Sequence, residues 1–343
     1  MQPLYKHLFV VRHIMKTLLF IAFLFFYATS AEQEKRPEDF GFRHLQTFYK
    51  GDTVDILIKS KKGEELKPKP LFLFFQGSLP QPLIKYDEKG MFGVFTFNPD
   101  SLAVSFHLVI ISKPNIPVVA DVKTLGQDYT YTDGSGAFPK GYIKHNYLDY
   151  YVDRNIKVIQ FLQKHKWVSE KMLVVAGHSE GSTIAAKLAS VFPKVTHLIY
   201  SGGNPMGRIL TTIEQLRAVE TDSTKDAEMQ FNYWQKVVSD PNNMNSKGDT
   251  YKVTYDFSIP PIEYLQKLII PVLISYGTKD AGSPYNDYLR VQTIMQKKTN
   301  FTFKAYIGTE HNYFPVKPNG KIDYDTFNWD RVANDWREWL LAQ

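Results

Sequence analysis

The sequence predicts an α/β fold, a mostly parallel sheet flanked by helices, on three observations. Short runs rich in β-branched and aromatic residues, at 71–75, 172–176 and 269–276, have the length and composition of strands buried on both faces. Amphipathic stretches alternate with them, the clearest placing Val152, Ile156, Ile159 and Leu162 on one helical stripe. Each run also ends in a glycine-containing turn (Gln76-Gly77-Ser78, Gly177 to Gly181, Gly277 to Asp280), and the carboxyl ends of parallel strands are where such folds keep their functional groups.

In chain order, a polar lead-in over 32–41 precedes 45–49 and 54–58, which pair as a hairpin across Lys50-Gly51-Asp52. A charged loop with proline follows at 61–69, then the 71–75 strand. Residues 92–97 form a short excursion before the next core strand at 106–111. The segment 114–146, rich in Gly, Tyr and Asp, reads as one long loop, and a loop of that length in a compact domain is usually functional, so it is expected to border the site. A helix over 149–164 leads into the 172–176 strand. A second helix follows from Ser182 to Phe192, then a strand at 195–200. Between 203 and 266 the alternation stops, and 208–220 and 227–238 read as two helices. Strands at 269–276 and 301–307 follow, and Trp329, Val332, Trp336 and Leu340 mark a closing helix.

Gly177-His178-Ser179-Glu180-Gly181 is the stretch that carries chemistry. It reads G-x-S-x-G between a buried strand and a helix, the setting in which a tight turn lifts a serine hydroxyl above the sheet. A serine needs a base to become a nucleophile, and the base needs an orienting acid. Asp280 stands just past the 269–276 strand and is the candidate acid, with Asp287 in reserve. His311, in Gly308-Thr309-Glu310-His311, stands past the 301–307 strand and is the candidate base. The other histidines fall in the leader, in buried strands, at a helix end, inside the elbow or in places with no matching context.

With its Ser, Asp, His order, each residue at a strand end, the chain resembles the α/β-hydrolase superfamily, nearest its dienelactone-hydrolase-like and prolyl-oligopeptidase-like esterase branches. The resemblance runs from about Leu45 to Leu341. It implies an eight-stranded, mostly parallel sheet with a helical cap inserted after the sixth strand. It implies a hydrolase core over 32–203 and 267–343, the cap at 204–266, and catalysis by Ser179, Asp280 and His311. It also implies an oxyanion hole built from the backbone N–H of Glu180 and that of Gly77 or Ser78, although the HGGG string seen elsewhere in the family is missing here. The implied reaction is hydrolysis of carboxylic esters with small to medium acyl or aromatic groups, without metal or organic cofactor. A peptidase and a non-catalytic binding protein are the rival readings.

Residues 1–31 carry Lys6, Arg12 and Lys16 without an acid, then an apolar run and small residues at 28–31, the pattern of a cleaved signal peptide. The uncharged stretch 17–31 is shorter than the ~20 residues of a membrane span. The expectation is an exported protein, periplasmic or secreted, with no stable membrane association after cleavage. Its formal charge of +6 falls to +3 without the leader and forms no basic stripe, so nucleic acid is not an expected partner. With no cysteine, the chain has neither disulfides nor a thiol nucleophile. Tyr-rich loops over 128–151 and the cap aromatics Met206 to Tyr255 are expected to roof Ser179 with a largely apolar pocket of few charges, unless those aromatics form the cap's own small core.

Overall fold

Strands β1 (Arg43–Tyr49) and β2 (Asp52–Lys59) pair antiparallel with Tyr49 opposite Asp52, across a two-residue turn. Both turn residues, Lys50 and Gly51, take positive φ, the combination a type I′ turn requires to match the twist of the strands it joins. The structure, a computed structural model, describes residues 35–246 and 248–343. The leader expected over 1–31 lies outside them.

The remaining strands are β3 (Lys69–Phe75), β4 (Ile84–Asp87), β5 (Gly90–Phe92), β6 (His107–Ile111), β7 (Val119–Asp121), β8 (Val168–His178), β9 (His197–Ser201), β10 (Val272–Gly277) and β11 (Phe301–Tyr306). Eight of them form one sheet in the order β1-β2-β6-β3-β8-β9-β10-β11. It is parallel from β6 to β11 and antiparallel only where β2 meets β1 and β6. This is the α/β-hydrolase architecture that the motifs imply.

Burial on both faces explains why the strands read as unbroken apolar runs. Along β3, Leu71, Leu73 and Phe75 enter the core on one side of the sheet, and Phe72 and Phe74 enter the core on the other. Helices α3 (Leu148–Leu162), α4 (Glu180–Val191) and α9 (Ser283–Met295) contribute to the first core through Val158, Ile159, Ala185, Leu188 and Leu289. Helix α10 (Trp329–Leu341) closes the second with Trp329, Val332 and Trp336.

One expectation, that of a structureless 114–146, needs correction. The excursion over 92–97 is irregular apart from Phe92, which ends β5 in a separate small sheet of order β5-β4-β7, and that sheet also takes in β7 from the supposed long loop. That loop further contains helix α2 (Lys140–His145), so 114–146 is not structureless. Three-residue strands and a six-residue helix are too short to impose a period on the sequence.

After β9, the sixth strand of the large sheet in chain order, the chain forms α5 (Arg208–Arg217), α6 (Asp226–Ser239), α7 (Tyr251–Asp256) and α8 (Ile262–Leu265) before β10. Ile209, Ile213 and Ala227 make a small core of their own, with Trp234 against it. Helix α1 (Asp100–Ala103) is a single turn ahead of β6.

Candidate active site

Strand β8 runs directly into α4 with Ser179 between them, at φ +57° and ψ −126°, a region non-glycine residues rarely occupy. The surrounding packing explains why such strain persists. A Cβ on Gly177 would lie 2.0 Å from the Gly181 carbonyl oxygen, and one on Gly181 would lie 2.1 Å from that of Phe75 in β3. Both glycines are therefore steric requirements of a turn pressed against its neighbouring strand. The Ser179 N–H donates to the Ser201 carbonyl at 3.0 Å, and its own carbonyl accepts from the Ser182 hydroxyl at 2.6 Å.

Asp280 follows β10 and is buried, at 7% exposure. Its Oδ1 accepts the Gly282 N–H at 3.0 Å, and its Oδ2 lies 2.8 Å from His311 Nδ1, in the loop after β11. A carboxylate only accepts, so Nδ1 carries the proton and Nε2 is left with its lone pair. Burial works against the charged form of His311, but the hydrogen bond and charge of Asp280, with help from Glu310, outweigh it and raise its pKa above the ordinary histidine value. Asp287, the reserve acid, instead accepts the Tyr276 hydroxyl. Behind His311, burial and then the His311 charge hold His178 far below the usual histidine range, so it stays neutral. Trp329 packs on both His178 and Tyr313, giving the histidine loop a rigid aromatic floor.

Ser179, Glu180, Asp280, His311 and Ser78 line one cavity of about 290 Å³. Gly77 stands beside them, where a Cβ would sit 4.0 Å from Ser179 Oγ. The backbone N–H groups of Gly77, Ser78 and Glu180 enter no backbone hydrogen bond among the described residues. All six residues picked out from the sequence thus come together at the carboxyl edge of the sheet. The arrangement offers a serine hydroxyl, a neutral imidazole oriented by a carboxylate, and uncommitted amide donors. Among the described residues no group of His, Cys, Asp or Glu is placed to hold a metal ion.

The cavity wall differs from expectation. Asn204, Arg208, Thr211, Thr212 and Gln215 form its outer side, and Phe257 is its one large apolar group. Four other aromatics of the insertion turn elsewhere: Trp234 stacks on Tyr255 and Tyr233 meets Tyr251 edge-on, within the insertion's own packing. No residue of 114–146 lines the cavity. That segment reaches the site only from behind, through Tyr142.

Sequence reasoning missed that supporting layer. The Ser78 carbonyl accepts from Lys113 Nζ at 3.2 Å and from the Tyr142 hydroxyl at 3.1 Å, which fixes the turn after β3. Lys113 and Glu180 are both buried and lie 3.5 Å apart, and Arg208 Nη1 lies 3.5 Å from the other Glu180 oxygen while Nη2 pairs with Asp249. Burial pulls the Lys113 pKa down, against the raising effect of Glu180. These contacts join residues that the sequence separates by 28 to 67 positions, so no local signal could have shown them.

No family model matches this sequence, and no curated protein matches it. Solved structures do. The chain is similar to Est1E from Butyrivibrio proteoclasticus at 14% identity and a TM-score of 0.52, with 87% of this chain and 98% of that one covered. A structure of Est1E with ferulic acid bound gives 15%, 0.54 and the same coverage. A putative dipeptidyl aminopeptidase IV from Bacteroides ovatus matches at 10% identity and 0.54, over 87% of this chain and 35% of that one. At these identities the likeness shows the shared α/β-hydrolase fold.

Proposed function

We propose that this chain, with its α/β-hydrolase fold, is a serine hydrolase that cleaves carboxylic esters through an acyl-enzyme. The observation that carries the reading is the pair of Ser179, held in a strained, half-buried turn, and His311, hydrogen-bonded to buried Asp280, on the wall of one cavity. A binding protein has no use for an oriented neutral imidazole beside a strained serine.

In this mechanism Ser179 Oγ attacks the ester carbonyl carbon as His311 Nε2 takes its proton. The carbonyl oxygen becomes an oxyanion, accepting hydrogen bonds from the Glu180 N–H and from that of Gly77 or Ser78. Asp280 stabilises the imidazolium and keeps Nδ1 protonated. Collapse of the tetrahedral intermediate breaks the bond to the leaving alcohol, which receives the proton from Nε2. Water then repeats the sequence on the acyl-enzyme and frees Ser179.

The cavity of about 290 Å³ suits small to medium acyl or aromatic groups better than a polypeptide. Thr211, Thr212, Gln215 and Asn204 favour a substrate with hydrogen-bonding groups on the part facing α5. The insertion 204–266 acts as a cap, since α5 forms that side of the cavity. Export, with cleavage near Ala31, belongs to the same proposal and is checked by the N-terminal mass of protein recovered from the producing cell.

The decisive experiment is labelling with a fluorophosphonate probe. Wild type should label and Ser179→Ala should not, while both give the same circular dichroism spectrum. Undiminished labelling of the variant refutes the assignment. A panel of p-nitrophenyl esters of rising chain length, run beside feruloyl and aminoacyl substrates, then separates ester from amide preference.

A further inference from the structure

Behind the site, a second, smaller cavity of about 20 Å³ lies between β3, β6 and α3, with Gln76, Lys113, Arg154 and Asn155 on its wall. That is room for one water-sized or monatomic ligand. Tyr151 also lines it, its hydroxyl committed to Asn146, and two of the five polar side chains are cations. Arg154 is 3% exposed, its Nε has no hydrogen-bond partner, and no carboxylate among the described residues lies within ion-pair distance of its guanidinium. Asp52, close enough to attract it, accepts the Tyr150 hydroxyl at 2.8 Å and has His145 Nδ1 2.7 Å away. The faces of Tyr150 and Tyr151, at 5.7 and 5.3 Å, attract the guanidinium without neutralising it. Lys113, the second cation, shares its one acid, Glu180, with Arg208.

A buried charge without a partner is among the most destabilising features a core can hold, and two cations around one cavity add mutual repulsion. Water in the cavity would solvate them but would leave the charge uncompensated. The wall is also rich in donors: both cations, and the Asn155 amide, whose buried Oδ1 has no partner and exchanges places with its NH2 on a half-turn.

We propose that this cavity is a binding site for a single monatomic anion, a halide such as chloride, held by Arg154 and Lys113. The site is distinct from the substrate cavity and touches it through Gln76, on the turn that carries Gly77 and Ser78, and through Lys113, which donates to the Ser78 carbonyl. An anion there fixes Lys113, which supports the turn of the proposed oxyanion hole.

The test uses the full chain and does not depend on its being a hydrolase. Crystals soaked in sodium bromide should show a bromine anomalous peak between Arg154 and Lys113. Absence of that peak, with water in its place, overturns the proposal. In solution, replacing gluconate by chloride at matched ionic strength and pH should raise Tm by about 2–4 °C, as binding to the native state alone requires. Arg154→Gln should abolish the difference between the two salts, and a difference of the same size in the variant would also overturn the assignment. Should that variant fail to fold, the bromide soak of the wild type still decides.

Discussion

Asp280→Asn tests the proposed chemistry most sharply, because the structure says how the new side chain would sit. The Gly282 N–H donates to Oδ1, so an introduced amide would keep its carbonyl there and turn its NH2 toward His311 Nδ1. A donor facing Nδ1 selects the imidazole tautomer with its proton on Nε2, which cannot accept a proton from Ser179. The lost charge adds to this. Two unit charges about 4 Å apart at an effective dielectric of ~20 attract by about 4 kcal/mol. The His311 side chain is 35% exposed, whereas that of Asp280 is 4%. Water on the open side of the ring screens part of the attraction, and roughly half of it, about 2 kcal/mol, corresponds to about 30-fold in rate. With the tautomer effect included, kcat should fall by about 10³–10⁴.

The pH profile supplies a second readout from the same variant. Protonated His311 cannot act as a base, so kcat/KM must rise with pH through its pKa, which Asp280 lifts above the ordinary value of about 6.5. Without the carboxylate, burial is opposed only by the charge of Glu310, and the acid limb should move to lower pH as the plateau falls. The stability effect has the opposite sign: the raised pKa stabilises the wild type below about pH 6.5, and this is lost as pH rises through the folded-state value. Steady-state kinetics on a p-nitrophenyl ester from pH 5 to 9 would measure both quantities. A variant within tenfold of wild-type kcat, with an unmoved acid limb, would refute the roles given to both residues.

Other outcomes follow from the same structure. Gly181→Ala should lower stability by about 1–3 kcal/mol and abolish probe labelling, since its Cβ would lie 2.1 Å from the Phe75 carbonyl oxygen and force the turn away from β3; chemical denaturation and labelling check this, and a folded, fully labelled variant would contradict it. Glu180→Gln should cost about 3–5 kcal/mol by leaving buried Lys113 without its acid, visible as a lower urea midpoint; a double variant with Lys113→Met should recover part of the loss. Thr212→Val and Gln215→Leu, on the polar side of the cavity, should raise KM about tenfold for a substrate with a hydroxyl on that side, leaving plain short-chain esters nearly unaffected, and equal changes for both substrates would argue against contact there.

What the sequence determined by itself is whatever a few neighbouring residues can encode. Strands such as β3 and β8 are legible because burial on both faces leaves an unbroken apolar run, and α3 and α10 because a half-buried helix must repeat its apolar residues. The elbow is legible for a related reason: a serine at positive φ, with Gly177 and Gly181 pressed against backbone, tolerates few local sequences. Asp280 and His311 were found because each stands where a legible strand ends, and parallel strands deliver their carboxyl ends to one edge. Only the tertiary structure decided which acid meets His311 and sent Asp287 to Tyr276. It decided too that Trp234 faces Tyr255 rather than the substrate, since aromatic content in a segment does not say which way a ring points. The polar cavity wall, the Lys113–Glu180–Arg208 cluster and the cationic cavity behind it join residues far apart in the chain. Such contacts exist only after the sheet has formed, and they leave no period, motif or composition for the sequence to show.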